Sequence, residues 1–310
     1  MTAAAIAAEP LAKNRTLRAA GFILIYAFII GFTDNFVREI AADGGLWQFH
    51  ATRSLFAGLI TLVLAKPMGL SLRPKRPGAV LARSLIHGFT MMVYFGCLAF
   101  LSVAEVAAGL FTAPIFVLLI SRFAYGHAIG PFRVVAVGIG FAGALMVLGI
   151  GQGTGISATM VLPIAAGALY ALGNIATREW CHGESAETLL MGFFLALGCF
   201  GLIGIGVLAL WQPEVPAGVD GFVLRGAVWP TADFLFWTFV QAAGSLLAIG
   251  LMVKAYQMAE ASRVAVFEYV ILPMSAFWSW ALWGQLISLQ AVAGMGMIFA
   301  AGMIIALRGR

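Results

Sequence analysis

Charge is what this chain has least of. Of its 310 residues, 10% are Asp, Glu, Lys or Arg, against about 25% in an ordinary soluble domain. Hydrophobic residues make up 62%, and the mean hydropathy is +0.99. A soluble body of this length cannot hide so much apolar surface, so the composition specifies a polytopic membrane protein. Cysteine is scarce as well. Cys97, Cys181 and Cys199 offer no disulfide framework, and the absence of CxxC or His-rich tracts predicts no metal and no cofactor. Nucleotide-driven chemistry has no GxxxxGK[ST] stretch to rest on, and there is no HExxH, GxSxG or acidic metal cluster for an intramembrane enzyme. The net charge of +5 and pI near 9.4 do not point to nucleic acid, because the basic residues sit in short loops. The start, "MTAAAIAAEPLAKNRTLRAAG", puts its small-residue run before its basic residues, the reverse of a signal peptide. The first span is therefore expected to stay as an anchor.

Apolar stretches long enough to cross about 30 Å of hydrocarbon fall near residues 20–42, 46–65, 80–101, 104–122, 132–151, 159–179, 188–211, 232–254, 263–283 and 288–307. These are ten transmembrane helices, which places both termini on one side. Fifteen of the eighteen Lys and Arg residues fall on that side. Arg38 and Arg225 fall opposite, and Arg53 lies inside the second span. The positive-inside rule then puts both termini in the cytoplasm of a bacterial inner membrane, with residues 212–231 as the largest segment outside. Trp47, Trp180, Trp211 and Trp283 lie near span ends, where interfacial anchors belong.

The chain also repeats itself. "YGHAIGPFRVVAVGIGFAGALMVL" (125–148) aligns without gaps on "WGQLISLQAVAGMGMIFAAGMIIA" (283–306), and "DNFVRE" (34–39) lines up with "NIATRE" (174–179). Each half holds five spans, an odd number, so the second half is inverted relative to the first. Inverted repeats with a site at their interface are a transporter architecture, although a duplicated helical unit can also serve packing alone. The expected divisions are a cytoplasmic segment 1–19, a first repeat 20–151 and a second repeat 152–310.

Two segments carry a family resemblance. "WQFHATRSLFAGLITLVLA", with Arg53 early in the second span, resembles the second helix of the EamA-type drug/metabolite transporter superfamily. "AYQMAEASRVAVFEYVILPMSAFWSWALWGQ" (255–285) resembles a later segment of the same family, with its small-residue break, proline and closing glycine. The likeness covers essentially the whole chain in two copies. One departure stands out: the family often has Gly-Glu where this chain has Gly126-His127 and Gly284-Gln285. No role for that glutamate carries over. The resemblance implies a transporter of small metabolites and leaves substrate and direction open.

Polar residues recur at i, i+4 and i+7, one face of a helix. The third span carries Arg83, His87, Thr90 and Tyr94, the sixth Tyr170, Asn174 and Thr177, the eighth Gln241 and Ser245, and the ninth Glu268, Ser275 and Ser279. Four such faces predict one shared cavity lined by His87, Tyr94, Tyr170, Asn174, Gln241, Ser245, Glu268 and Tyr269, although interhelical hydrogen bonding alone explains the Ser and Thr positions. Tyr94, Tyr170, Tyr269, Phe111 and Phe267 are candidates to stack a planar substrate, with simple packing as the alternative.

The charges of the first two spans form a second group. Each costs about 2.5–3.5 kcal/mol at a bilayer centre on insertion scales. Asp34 lies about 12 Å and Arg53 about 10 Å below the same boundary at 1.5 Å per residue, and Arg38 sits one turn from Asp34. An intramembrane ion pair or gate is expected among Asp34, Arg38 and Arg53, with a structural clamp as the alternative. Glu268 has no close cation except Arg263 and Lys254, so it is a candidate to bind an amine group or couple protons, or to reach the interface and pair with Arg263. Gly138, Ala142, Gly296 and Ala300 are expected to let the fifth and tenth spans approach their neighbours closely. The expected partners are a small-molecule substrate and the lipid bilayer, with protons and a second copy of the chain as further candidates. A secondary transporter working by alternating access fits these features best. A membrane-embedded enzyme and a non-transporting scaffold are the alternatives.

Overall fold

The computed structural model describes residues 3–97, 101, 103–150 and 158–308. All regular elements among the described residues are helical. The first half contains α1 (Ala3–Asp34), α2 (Val37–Asp43), α3 (Leu46–Ala65), α4 (Pro77–Cys97), α5 (Val103–Leu110), α6 (Ala113–Phe123) and α7 (Pro131–Val147). The second contains α8 (Val161–Glu179), α9 (Ala186–Trp211), α10 (Ala232–Met258), α11 (Ala261–Glu268), α12 (Ile271–Trp283) and α13 (Leu289–Arg308). The pairs α1–α2, α5–α6 and α11–α12 are interrupted spans, so these thirteen helices make ten crossings. Among the described residues, seven stretches are long and apolar enough to cross a membrane, and α7 is a shorter apolar helix. Helices α3 and α8 have the length but carry the polar residues Gln48, His50 and Arg53, or Asn174, Thr177 and Arg178.

The repeat extends to helix starts. Helices α5, α6 and α7 begin at residues 103, 113 and 131, and α11, α12 and α13 at 261, 271 and 289. Each start recurs 158 residues later, the offset at which the two sequences align. Packing obeys the same relation. The contact of α1 with α10 is matched by that of α8 with α4, and α4 on α9 by α10 on α3. Helices α5 and α6 pack on α8 as α11 and α12 pack on α1, while α7 lies along its own counterpart α13. The expected division between 151 and 152 falls outside the described residues.

Each interruption has a chemical cause. Proline offers no N–H and clashes with the carbonyl four residues earlier. Pro114 therefore ends α5 at Leu110, and Pro273 sets the gap at Tyr269. In the first span, Asn35 Nδ2 donates to the Gly31 carbonyl at 2.6 Å, a side-chain bond that competes with the helical ladder. Ser279 Oγ holds the other end of that amide at 2.8 Å.

The crossing of α7 and α13 corrects the expected choice of small residues. A Cβ on Gly138 or Gly296 would meet nothing within 4 Å, and both glycines face outward. The close approach is made at Gly143 and Gly294, where a Cβ on either would lie 2.6 Å from the other's carbonyl oxygen. The seam also uses Gly140, whose missing side chain admits the ring of Tyr269.

Loops brace both ends. On the side opposite the termini, Arg225 Nη1 donates to the carbonyls of Ala41 at 2.8 Å and Gly44 at 2.9 Å. Trp47 Nε1 reaches the Val223 carbonyl at 2.9 Å, so residues 212–231 are stitched to the turn between α2 and α3. On the side of the termini, the Glu184 carboxylate accepts from the backbone N–H groups of Lys75 and Arg76 at 3.1 and 2.5 Å. There too, Arg133 Nη1 meets Glu260 at 2.6 Å, and Arg263 Nε meets the same carboxylate at 3.3 Å.

Candidate functional site

Residues from both halves enclose a cavity of about 380 Å³. Helices α1, α3, α4 and the α5–α6 break supply Tyr26, Asp34, Arg53, Arg83, His87, Tyr94, Phe95 and Phe111, while α8, α9, α10 and α12 supply Tyr170, Phe193, Gln241, Ser245, Met252 and Ser275. The helical period explains the first set. Tyr26, Ile30 and Asp34 recur every four residues along α1 and all face the space, and Arg83, His87, Met91 and Tyr94, spaced by four, four and three, do the same on α4.

Of the expected cavity residues, His87, Tyr94, Tyr170, Gln241 and Ser245 line it. His87 is buried, with its ring edge-on to Tyr170 at a centroid distance of 5.5 Å. A Cβ on Gly173 would sit 2.6 Å from His87 Nε2, so the absence of a side chain at Gly173 makes room for the imidazole. Ser245 Oγ donates to Gln241 Oε1 at 2.7 Å, and Gln241 Nε2 donates to Asp34 Oδ1 at 2.8 Å. This relay joins α10 to α1 through side chains facing the cavity.

Three expected members lie elsewhere. Asn174 and Glu268 form a buried cluster with Tyr256, toward the end of the molecule that carries the termini, which meets the cavity wall through the interaction of Glu268 with Tyr170. The Tyr256 hydroxyl donates to the Glu268 carboxylate, and Asn174 Nδ2 reaches the Tyr256 oxygen at 3.1 Å and Glu268 Oε1 at 3.4 Å. Tyr269 is fully buried and donates to the Phe111 carbonyl at 3.2 Å. The reason is the break: residues 268 and 275 would share a face of one continuous helix, but they lie on α11 and α12, so Ser275 faces the cavity and Glu268 does not. Arg263 pairs with Glu260 and not with Glu268.

The expected ion pair is also corrected. Among the described residues Asp34 has no cation within 4.0 Å, and its partner is the amide of Gln241. Arg38 is exposed and does not line the cavity. Arg53 lines the cavity with its Cζ 5.2 and 5.7 Å from the ring centroids of Phe49 and Phe194. Tyr26, Phe95 and Phe193 were missed by the polar-stripe pattern, although Tyr26 lies two turns before Asp34 on one face of α1. No group of three or more His, Cys, Asp or Glu side chains able to hold a metal occurs among the described residues.

Ten crossings, a repeat inverted on itself and a polar, aromatic-walled space between the halves define a membrane transporter. Known proteins agree with this class. Residues 17–149 match the EamA-like transporter family. The chain is 24% identical over 266 residues to a riboflavin transporter of Rhizobium johnstonii, covering 86% of this chain and 80% of that one. It is 21% identical over 280 residues to a pseudopaline exporter of Pseudomonas aeruginosa, covering 90% and 92%. A solved crystal structure shares the fold with a TM-score of 0.75 at 18% identity, covering 95% of this chain and 98% of the other. The family match spans the first half of the chain, and relatives named as transporters align with 79–95% of it; the chain is a membrane transporter, not an enzyme.

Proposed function

We propose that this chain is a secondary transporter that carries a small polar or amphiphilic metabolite across the bacterial inner membrane by alternating access. The halves that rock against each other are residues 20–151 and 152–310, with residues 1–19 as a cytoplasmic lead segment and both termini in the cytoplasm. One observation carries the reading: the cavity of about 380 Å³ is walled by both halves and lined by three charged side chains, Asp34, Arg53 and Arg83, of which Asp34 and Arg53 make no direct ion pair. Intramembrane charges are costly and mark substrate or ion pathways. Rings of Tyr26, Tyr94, Phe95, Phe111 and Phe193 give the same space apolar walls for a planar body, the usual make-up of a small-molecule site. Glu268, buried behind this wall with Tyr256 and Asn174, is the candidate for proton coupling.

The riboflavin transporters among the relatives make a flavin the first metabolite to try. Purified protein in liposomes preloaded with an unlabelled flavin, tried as riboflavin and as its 5′-phosphate, should accumulate the labelled flavin by counterflow, and a panel of labelled polar metabolites extends the assay. Absence of counterflow across the panel, in vesicles where the protein remains folded, would refute the transport mechanism. A homodimer is a separate expectation, checked by the mass of the detergent-solubilised particle.

A further inference from the structure

We propose that Arg53 is an anion-recognition residue, so that the cavity selects metabolites carrying a carboxylate or a phosphate-type group on an apolar or planar body. This inference rests on the cavity being the substrate site, as proposed above.

The two arginines of the cavity wall differ in what their donors do. Arg83 is spent on the protein: its Nε donates to Thr177 Oγ1 and its Nη1 to the Leu189 carbonyl, both at 2.9 Å. Arg53 is 7% exposed, and its Nε has no hydrogen-bond partner among the described residues. No carboxylate lies within 4.0 Å of it. Its guanidinium is held over Phe49 and Phe194 instead. Contact with aromatic faces steadies a cation without using its N–H groups. The donors stay free for a ligand.

Asp34 acts on this charge through space and makes no direct contact with the guanidinium. Its Oδ1 already accepts from Gln241, whose own oxygen is engaged by Ser245. The relay serves the one carboxylate of the cavity and leaves the guanidinium unserved. A buried arginine without a partner is costly, and a planar fork of five donors is the group best shaped to grip a carboxylate or phosphate in two places at once. The unmet donors and the aromatic walls together describe a ligand with an anionic end and a flat or apolar body.

The test uses three probes that share a naphthalene ring: 2-naphthoate, 2-naphthylmethanol and 2-naphthylmethylamine. Full-length protein in detergent is melted with each in turn, for the wild type, Arg53→Gln and Arg53→Lys. In the wild type the carboxylate should bind roughly 10–100-fold more tightly than the alcohol, the scale of one charged hydrogen-bonded contact, with the amine weakest. Arg53→Gln should erase that order, and Arg53→Lys should keep part of it. Should Arg53→Gln not fold, phenylglyoxal modification of wild-type Arg53, followed by peptide mass spectrometry, should be slowed by the carboxylate and not by the alcohol. The proposal is overturned if the wild type shows no carboxylate preference, including the case in which no probe shifts its melting, or if Arg53→Gln keeps the preference. Charge preference without counterflow would remove the transport mechanism and leave the anion site. Counterflow without charge preference would do the opposite.

Discussion

The hydroxyl of Tyr269 donates to the carbonyl of Phe111 at 3.2 Å, with the two rings 6.1 Å apart, and each residue follows directly on the last residue of its short helix, α5 or α11. At the 158-residue offset they are one position in two copies. A helix that breaks leaves a carbonyl without its usual donor, and buried carbonyls need one. Here the donor comes from the opposite repeat, so the discontinuities of the fourth and ninth spans are bonded to each other.

Tyr269→Phe deletes that donor and little else. It should lower stability by about 1–3 kcal/mol, the cost of an unsatisfied buried group, seen as an earlier thermal transition in detergent. An unchanged melting temperature would mean that another donor replaces the hydroxyl.

Asp34→Asn keeps an oxygen for Gln241 Nε2 and removes the charge. The variant should elute as folded protein while losing at least about tenfold in counterflow, the scale of a lost charged contact. Normal transport by Asp34→Asn would show that the carboxylate contributes shape alone.

Glu268 accepts from Tyr256 and Asn174. Glu268→Ala strands these donors, removes the interaction with Tyr170 and should cost about 2–3 kcal/mol. Glu268→Gln retains an acceptor oxygen and should cost clearly less. Equal losses would mean that filled volume matters more than hydrogen bonding. In counterflow measured across pH, a response of Glu268→Gln parallel to the wild type would exclude Glu268 as the proton carrier.

The α7–α13 seam separates two glycines by their surroundings. Gly143→Ala would press a methyl against the Gly294 carbonyl and should destabilise by about 1–3 kcal/mol. Gly138→Ala adds its methyl to open space and should be neutral or stabilising by up to about 1 kcal/mol through helix propensity. The reverse ranking would contradict the packing of this pair.

Sidedness is checked at Lys75, in the loop before α4. In a variant with Cys97, Cys181 and Cys199 replaced, Lys75→Cys should escape an impermeant thiol reagent on intact cells and react once the cells are opened. Labelling of intact cells would invert the assigned orientation.

The ten crossings were legible in the sequence because the bilayer imposes length and apolarity on every span, and these are local properties. So was the repeat, down to the 158-residue offset that recurs in the helix starts. The polar faces of α4 and α10 were legible too: on an unbroken helix, spacing fixes direction, and His87, Tyr94, Gln241 and Ser245 meet where their period aims them. Tertiary structure decided the rest. Asp34 took as partner a residue 207 positions away and not the nearby arginines, because partner choice depends on how α1 and α10 are rotated against each other, which no single helix encodes. Glu268 left the cavity because an interruption one residue later reset the direction of its helix. Gly143 and Gly294, rather than Gly138 and Gly296, form the seam, since a small residue allows close approach only on the side from which a neighbour comes.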